Sequence, residues 1–470
     1  MPIDERNPFD PDFEGPPLRL TFESRSLSRL HDREAEEADF LFSLCDVDEI
    51  DGLVTWAREG FAANVPAAVM KPGRHREDSV AVGMLGEPDD GFIGVIPHFG
   101  QWERLGEQLQ LGEADRERLI HTGPALAFHQ SSKRHLFVCG DRALLAQRGK
   151  PPFTNLWRGI FSIRETLALV GAALRARGKI YEEVRGGYSS AITNYGVRVD
   201  LAVEAMPNRR RLAQWLRSQD PKDERTQAMS SLQNSLHLRA TELLRAREGV
   251  EREEHRFEHN NATADEALYH LRAAVAALAA ACDGFASLAA LALALPREGI
   301  GDPLRVGISQ KAFRKALKTD GLGAKTDREV SQAAPMLALV KAFRDPIVHQ
   351  AGPSGSTVHY AGAPAFTQSK ISSLSKEQVA AINGLGGRAG GAAQWGLRTE
   401  PPWPSLSPLP FVTRLATDGI AMIDALLRAL ATDLELEPLA ETNVVEPRKL
   451  ARLRLLSGMD PLYDGIGGRQ

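Results

Sequence analysis

Two residues in the C-terminal half carry side chains that can act on a phosphodiester. Arg344 and His349 form an Arg-x4-His pair in the segment KAFRDPIVHQ, with Asp345 directly after the arginine. A histidine moves protons near neutral pH, and an arginine stabilises the charge of a pentavalent phosphate. A second pair with this spacing, Arg116 and His121, shows that the spacing alone is not specific. The alternative is that Arg344 and His349 only cap a helix C-terminus, where cations are favoured.

The elements around Arg344 are predicted to be helices. Thr263 and Glu266 form a capping box before a helix whose larger apolar residues recur at 3-4-3 spacing. The predicted helices cover 263–296, about 308–317, 331–349 and 412–436. Between the last two lies a predicted loop insertion at about 351–410, rich in Gly and Pro, with one short helix around 376–382. Pro346 is expected to loosen the last turns of the helix that carries Arg344.

The stretch Ala273–Leu295 is long and apolar enough to cross a bilayer. However, Asp283 lies in its middle, and a central Asp is unfavourable in a membrane by about 2.5–3.5 kcal/mol. Its larger side chains also follow a single helical seam, which is typical of a packed helix. The sequence therefore predicts a core helix and no membrane contact.

The Arg-x4-His pair in this helical setting resembles the HEPN family, whose bundles carry an R-[NDH]-x3-H signature near the end of an inner helix. The resemblance covers about 257–437, interrupted by the insertion. It implies an RNA-cleaving or RNA-binding protein, with Arg344, Asp345 and His349 as catalytic residues, no cofactor at this site and a homodimer through the bundle. Many members are metal-independent ribonucleases, often toxins or phage-defence effectors, so the resemblance implies a defence, toxin or RNA-processing context. The alternative is a non-enzymatic module that dimerises or binds a nucleotide or a partner protein.

The N-terminal part is predicted to be a small parallel α/β domain over 18–185, after a loose arm at 1–17. LRLTF (18–22), HLFVCGD (135–141) and the start of IFSIRETLALV indicate strands, and 38–60 and 114–130 indicate helices, the latter interrupted near Gly123 and Pro124. The fold class is therefore α/β followed by an all-α bundle.

The N-terminal part also resembles PIN-like domains in ADRERLIHTGPALAFHQSSKRHLFVCGDRALL and in LRLTFESRSLSRL. The resemblance implies a metal-dependent nuclease that holds Mg or Mn through Glu23, Asp115 and Asp141. Glu23 stands where the family has Asp. The middle carboxylate stays open among five candidates: Asp46, Asp48, Glu49, Asp51 and Glu59.

The remaining segments are a charged helical connector at 186–256 and a tail at 438–470. In the connector, the run Arg209-Arg210-Arg211 either contacts phosphate or forms a solvated helix face. Net charge is −4 over 470 residues, so nucleic acid must be bound by a local patch. The isolated Cys45, Cys139 and Cys282 exclude a disulfide framework and indicate a cytoplasmic protein.

Overall fold

The computed structural model describes residues 17–30, 32–56, 65–76, 79–84, 92–97, 99–132, 134–147, 160–176, 182–184, 187–189, 194–254, 261–349, 354–358, 368–372, 374–386, 391–398, 404–438 and 447–456. The described residues divide after residue 177 into two compact units, the N-terminal unit and the helical unit. The chain is thus an α/β domain followed by a mainly helical one, which confirms the predicted fold class.

The N-terminal unit alternates strands and helices. In chain order its elements are β1 (Leu18–Glu23), α1 (Ser24–Leu27), α2 (Asp32–Ser43), β2 (Ile50–Thr55), β3 (Ala67–Arg76), β4 (Ser79–Met84), β5 (Phe92–Pro97), α3 (Phe99–Gln108), α4 (Glu113–Ser131), β6 (Leu136–Val138), α5 (Arg142–Gln147), β7 (Ile160–Phe161) and α6 (Ile163–Ala176). A 3-10 turn at Leu44–Asp46 precedes β2. Ser162 and Glu165 cap α6 reciprocally.

These strands form one sheet of order β5-β4-β3-β2-β1-β6-β7. The pairs β3–β2, β2–β1, β1–β6 and β6–β7 are parallel, whereas β4 is antiparallel to β3 and β5. The chain therefore adds β2 to β5 on one side of β1 and then returns to add β6 and β7 on the other side. The strand order reverses between β1 and β6. In open parallel sheets, ligands bind at the carboxyl ends of the strands beside such a reversal.

The prediction of a helix over 38–60 is wrong in its second half, because α2 ends at Ser43 and β2 occupies Ile50–Thr55. Strand β2 lies between β1 and β3 and buries nearly all its residues, so it lacks the alternating pattern that identifies a half-buried strand. Strands β3 and β4 were not predicted.

The predicted interruption of the 114–130 helix is also absent, because α4 continues through Pro124. Gly123 has a packing role instead. A Cβ at residue 123 would lie 2.5 Å from the indole ring of Trp102 on α3. The glycine lets the two helices approach each other closely.

A buried polar contact joins α4 to the sheet. The imidazole Nδ1 of His129 lies 3.0 Å from the hydroxyl of Thr21 on β1, and both residues are buried. Burial, together with Arg134 and His135, lowers the pKa of His129 to about 3. His129 is therefore a neutral core residue at physiological pH.

The helical unit contains two short hairpin strands, a long helical bundle and a small sheet. Its elements are β8 (Glu182–Val184), β9 (Gly187–Ser189), α7 (Asn194–Ala205), α8 (Pro207–Arg217), α9 (Glu224–Glu254), α10 (Asn261–Ala292), α11 (Arg297–Ile300), α12 (Lys311–Lys318), α13 (Ala324–Gln332), α14 (Ala334–His349), β10 (Ser354–Val358), β11 (Gln368–Ser372), α15 (Lys376–Gly386), β12 (Leu397–Arg398), β13 (Ser405–Leu406), α16 (Pro408–Asp433) and α17 (Pro447–Leu456). Three 3-10 turns lie at Pro303–Arg305, Thr319–Gly321 and Ala392–Trp395.

Helix α10 is the centre of this unit. Its apolar residues share one core with those of α9, α14 and α16. The rings of Phe343 on α14 and Phe411 on α16 pack with centroids 4.7 Å apart. The helices predicted at 263–296, 331–349 and 412–436 thus pack together, as the predicted helical bundle requires.

Helix α10 is also the one described helix with the length and apolarity of a membrane span, and 72% of its most apolar window is buried within the protein. The burial identifies it as a core helix.

The prediction of a solvated connector at 186–256 is wrong. Helices α7, α8 and α9 contribute buried residues to the core, among them Leu201, Leu212 and Leu243. The charge density misled the prediction because some of these charges pair internally. Arg247 and Glu251, four residues apart on α9, form an ion pair of 2.7 Å with both side chains only 4% exposed.

The insertion at 351–410 is not a plain loop. Its strands form a four-stranded antiparallel sheet of order β10-β11-β13-β12, and the short helix predicted around 376–382 is present as α15. Ile371, Ile382 and Trp395 of this region are buried in the α10 core. Strands of two to five residues give too short a pattern to be recognised in a Gly- and Pro-rich sequence.

The close approach of Trp102 predicts that Gly123→Ala destabilises the N-terminal unit by about 1–3 kcal/mol, because the added methyl group overpacks the α3–α4 contact. Helix propensity alone predicts the opposite sign, since Ala is the better helix former by about 1 kcal/mol. The matched control is Gly384→Ala on α15, where a Cβ meets open space. Urea unfolding of the three proteins measures the difference. A variant at Gly123 that is as stable as wild type would contradict the packing argument.

The buried His129 predicts an acid-sensitive stability. Between about pH 6.5 and pH 3 the unfolded chain binds a proton on this residue and the folded chain does not, so the free energy of unfolding falls as the pH falls. The expected loss at pH 4 is of the order of 3 kcal/mol. His129→Gln should reduce this pH dependence, whereas the exposed His121→Gln on the same helix should not. Unfolding midpoints from pH 7 to pH 4 measure both, and equal slopes in all three proteins would contradict the prediction.

Candidate functional site

Arg344 is exposed on the outer face of α14. The inner face of this helix buries Leu339, Val340 and Phe343 in the core, which fixes the helix and turns Lys341, Arg344 and Asp345 outward. The guanidinium Nη1 of Arg344 lies 3.7 Å from a carboxylate oxygen of Asp283 on α10, and the two side chains are 50% and 42% exposed. An exposed ion pair at this distance is weak, so a phosphate can take the place of Asp283.

Arg344 lines a cleft of about 610 Å³, here called the Arg344 cleft. Its walls are α10, α14 and the segment 304–310. Three cations, Arg305, Lys341 and Arg344, face two carboxylates, Asp283 and Asp345. Asp283 also accepts a 3.3 Å hydrogen bond from the backbone N–H of Ile308, which holds the segment against α10. The cleft therefore offers several cations to an anionic ligand without being uniformly basic.

His349 is the last residue of α14, and its side chain lies outside the described part of the structure. The helix continues through Pro346, so the expected unwinding between residues 344 and 349 does not occur. Five residues of regular helix separate the two positions by about 140° around the axis. A common groove for both residues therefore does not follow from α14 alone.

The second predicted site lies at the carboxyl edge of the N-terminal sheet. Glu23 ends β1, and Asp141 follows the neighbouring strand β6 by three residues. Asp115 lies in the first turn of α4. Arg118 joins the last two, with Nη1 2.7 Å from Asp115 and Nε 3.3 Å from Asp141.

The three carboxylates are nevertheless engaged with protein groups. Glu23 is buried and accepts hydrogen bonds from the backbone N–H groups of Arg25 and Ser26, capping α1. Asp141 accepts two backbone N–H bonds at the start of α5, at 2.9 and 3.3 Å. Arg118 supplies the positive charge that a metal would bring. Within the described ranges, no group of three His, Cys, Asp or Glu side chains is placed to hold a metal ion.

Asp51, one of the candidates for a middle carboxylate, does not lie at this edge. Asp51 lies opposite Arg19 at the amino half of the sheet, where its carboxylate is 3.0 Å from Arg134. The β2 residue level with Glu23 is Thr55, whose hydroxyl donates to the backbone carbonyl of Phe22. Glu59 lies outside the described residues. Among the described residues at this edge, Glu23 and Asp141 cap helices and Arg118 pairs with Asp115 and Asp141, and the Mg or Mn site of Glu23, Asp115 and Asp141 stays a prediction.

Sequence reasoning missed four members of these sites: Asp283, Arg305, Lys341 and Arg118. The signal for Asp283 was present, because a lone carboxylate within the apolar stretch Ala273–Leu295 needs a partner. Arg118 stands three residues after Asp115 on one helix face, a spacing that indicates pairing. Lys341 carried no signal that distinguishes it from other exposed lysines.

Comparisons of the chain with protein-family models, with curated proteins and with solved structures found no match. The HEPN and PIN-like resemblances therefore stay predictions that rest on sequence motifs.

The role of Arg118 predicts how the N-terminal unit responds to metal ions. Millimolar Mn²⁺ or Mg²⁺ should leave the melting temperature of the wild-type protein unchanged, because a cation already lies between Asp115 and Asp141. In Arg118→Ala the two carboxylates lose that cation, so added Mn²⁺ should raise the melting temperature of the variant. Thermal unfolding with metal and with EDTA measures the effect. Stabilisation of the wild type by Mn²⁺, lost in Asp141→Asn, would contradict this expectation and support the predicted metal site.

Proposed function

We propose that the helical unit binds RNA at the Arg344 cleft and that Arg344 and His349 cleave it without a metal ion. The observation that carries the proposal is the exposure of Arg344 beside Lys341 and Arg305 in one cleft, where the ion pair found for it among the described residues, to Asp283, spans 3.7 Å. Arginine binds phosphate through its planar fork of donors, and its charge persists at any physiological pH.

The reaction is a transesterification within the RNA. The 2′-oxygen forms a bond to the adjacent phosphorus, and the bond from phosphorus to the 5′-oxygen breaks. A base removes the 2′-hydroxyl proton and an acid protonates the departing 5′-oxygen, the two roles for which a neutral and a protonated histidine are suited. Arg344 stabilises the added negative charge on the phosphorane, and Asp345 orients the arginine.

One copy of His349 cannot be base and acid in the same step. We therefore propose that two helical units pair, so that each contributes one Arg-x4-His pair to a common cleft. A cytoplasmic toxin, defence or RNA-processing role fits this chemistry and the free cysteines of the chain.

The second candidate is RNA or nucleotide binding without cleavage. The observation that favours it is the regular helix through Pro346, which keeps residues 344 and 349 about 140° apart around the axis of α14. In that case Arg344 binds phosphate and His349 has no chemical role.

The nuclease proposal predicts EDTA-resistant cleavage of mixed RNA. His349→Ala should abolish it and Arg344→Ala should lower it by about 100-fold or more, the range seen when a donor to the developing charge is removed. Arg344→Lys should restore only part of the activity, because lysine lacks the planar fork. Cleavage is measured on gels from a time course with excess EDTA.

The control variant is His121→Ala, since His121 belongs to the chance Arg-x4-His pair and lies in the other unit. It should cleave like the wild type. Full activity of His349→Ala would overturn the nuclease proposal. Absence of cleavage together with weaker RNA binding by Arg344→Ala would support the binding module instead.

A further inference from the structure

A second concave surface of the helical unit lies between α8 and the first half of α9, here called the α8–α9 groove, with a volume of about 950 Å³. Three arginines line it: Arg209, Arg210 and Arg217. The described residues that line the groove include no Asp or Glu. This surface therefore differs from the Arg344 cleft, where cations and carboxylates alternate.

The cations follow the periodicity of α8. Residues 210, 214 and 217 are spaced four and three apart, so Arg210, Gln214 and Arg217 share one face of the helix. Arg210 and Arg217 are separated by about 10 Å along the axis. Two arginines so far apart serve two anionic groups better than one, which favours an extended polyanion.

Two of the arginines lack a carboxylate partner within the part of the chain that the structure describes. Arg209 donates only to neutral groups, the backbone carbonyl of Gln233 and the amide oxygen of Asn234, both at 3.4 Å. Arg217 is exposed and has no ion-pair partner among those residues. The nearby carboxylate of Asp223 is occupied by the backbone N–H and the hydroxyl of Thr226.

The rest of the lining is amide-rich, and the described lining residues include no aromatic side chain. Gln214, Gln227 and Asn234 supply donors and acceptors that suit phosphate oxygens and sugar hydroxyl groups. Without an aromatic ring the groove offers no stacking platform for bases. Its chemistry therefore fits the backbone of a nucleic acid, read without regard to base sequence.

We propose that the α8–α9 groove binds the sugar–phosphate backbone of RNA. The choice of RNA as the polyanion rests on the proposed function; the anionic character of the ligand rests on the groove alone. Arg217 and Arg210 contact separate phosphates, and the amides contact 2′-hydroxyl groups, which distinguish RNA from DNA. The groove holds the strand and leaves the chemistry to the Arg344 cleft.

The test is the binding of fluorescein-labelled RNA of about 12 nucleotides, in two unrelated sequences, measured by anisotropy over a range of salt. Gln214→Arg should tighten binding and Arg217→Ala should weaken it, each by about three- to tenfold at low salt, equally for both sequences. The slope of log K against log salt should change by about 0.7 for each arginine–phosphate interaction that a substitution adds or removes.

Two variants control for net charge. Gln332→Arg adds the same charge as Gln214→Arg at an exposed position outside the groove, and Arg297→Ala removes the same charge as Arg217→Ala. Both should bind RNA like the wild type. Equal effects of the groove and control variants would show non-specific attraction and overturn the proposal.

Three competitors identify the ligand. DNA of the same sequence should bind more weakly than RNA, and equal binding would overturn the role of the amides and with it the choice of RNA. Displacement of RNA by inorganic phosphate at equal phosphate concentration would reveal a single-ion site. Equally tight binding of a phosphoserine peptide of matching charge would assign the groove to a protein partner. Either of the last two results overturns the proposal.

The two proposals can fail separately. EDTA-resistant, Arg344-dependent cleavage with no effect of Gln214→Arg or Arg217→Ala on binding would remove the groove and keep the nuclease. Groove-dependent RNA binding without any cleavage would remove the nuclease and keep the groove.

Discussion

The helical unit depends on how closely its helices can approach α10. This helix is rich in alanine, and its partners carry glycine at the tightest contacts. A Cβ at residue 419 of α16 would lie 2.7 Å from Leu278, and one at residue 249 of α9 would lie 2.5 Å from the ring of His270. Small residues at such points allow backbones to pack closely and increase the area buried between helices.

This packing also determines where polar chemistry can occur. Because α10 is covered by α9, α14 and α16, charged groups are displaced to the rims, where α14 presents Arg344 and α8 presents its arginines. Asp283 lies in the apolar second half of α10, and it contacts both Arg344 and the segment 304–310 of the cleft. The Arg344 cleft and the α8–α9 groove are thus two separate polar surfaces at the edge of the same hydrophobic core.

The sequence predicted helices and strands correctly where the pattern that identifies them is local. The helices of the C-terminal half repeat their apolar positions over several turns, and the central strands β1 and β6 are short apolar runs next to turn signals. It did not predict the elements and ion pairs whose stability depends on residues far away in the sequence. No sequence pattern near Ile371 or Trp395 predicts that a small sheet packs on α10. No local pattern predicts the pairing of Asp283 with Arg344 or of Arg118 with Asp141 either. Such contacts depend on the tertiary fold.

The buried pair of Arg247 and Glu251 constrains how this sequence can evolve. Loss of either partner removes the ion pair that balances the other charge in the core, at a cost of about 3–5 kcal/mol, whereas an apolar pair of similar volume is tolerated. Single substitutions at these two positions are therefore deleterious even though the double replacement is not. Sequences that descend from this one should therefore keep both residues or replace both, because each single-substitution intermediate is destabilised.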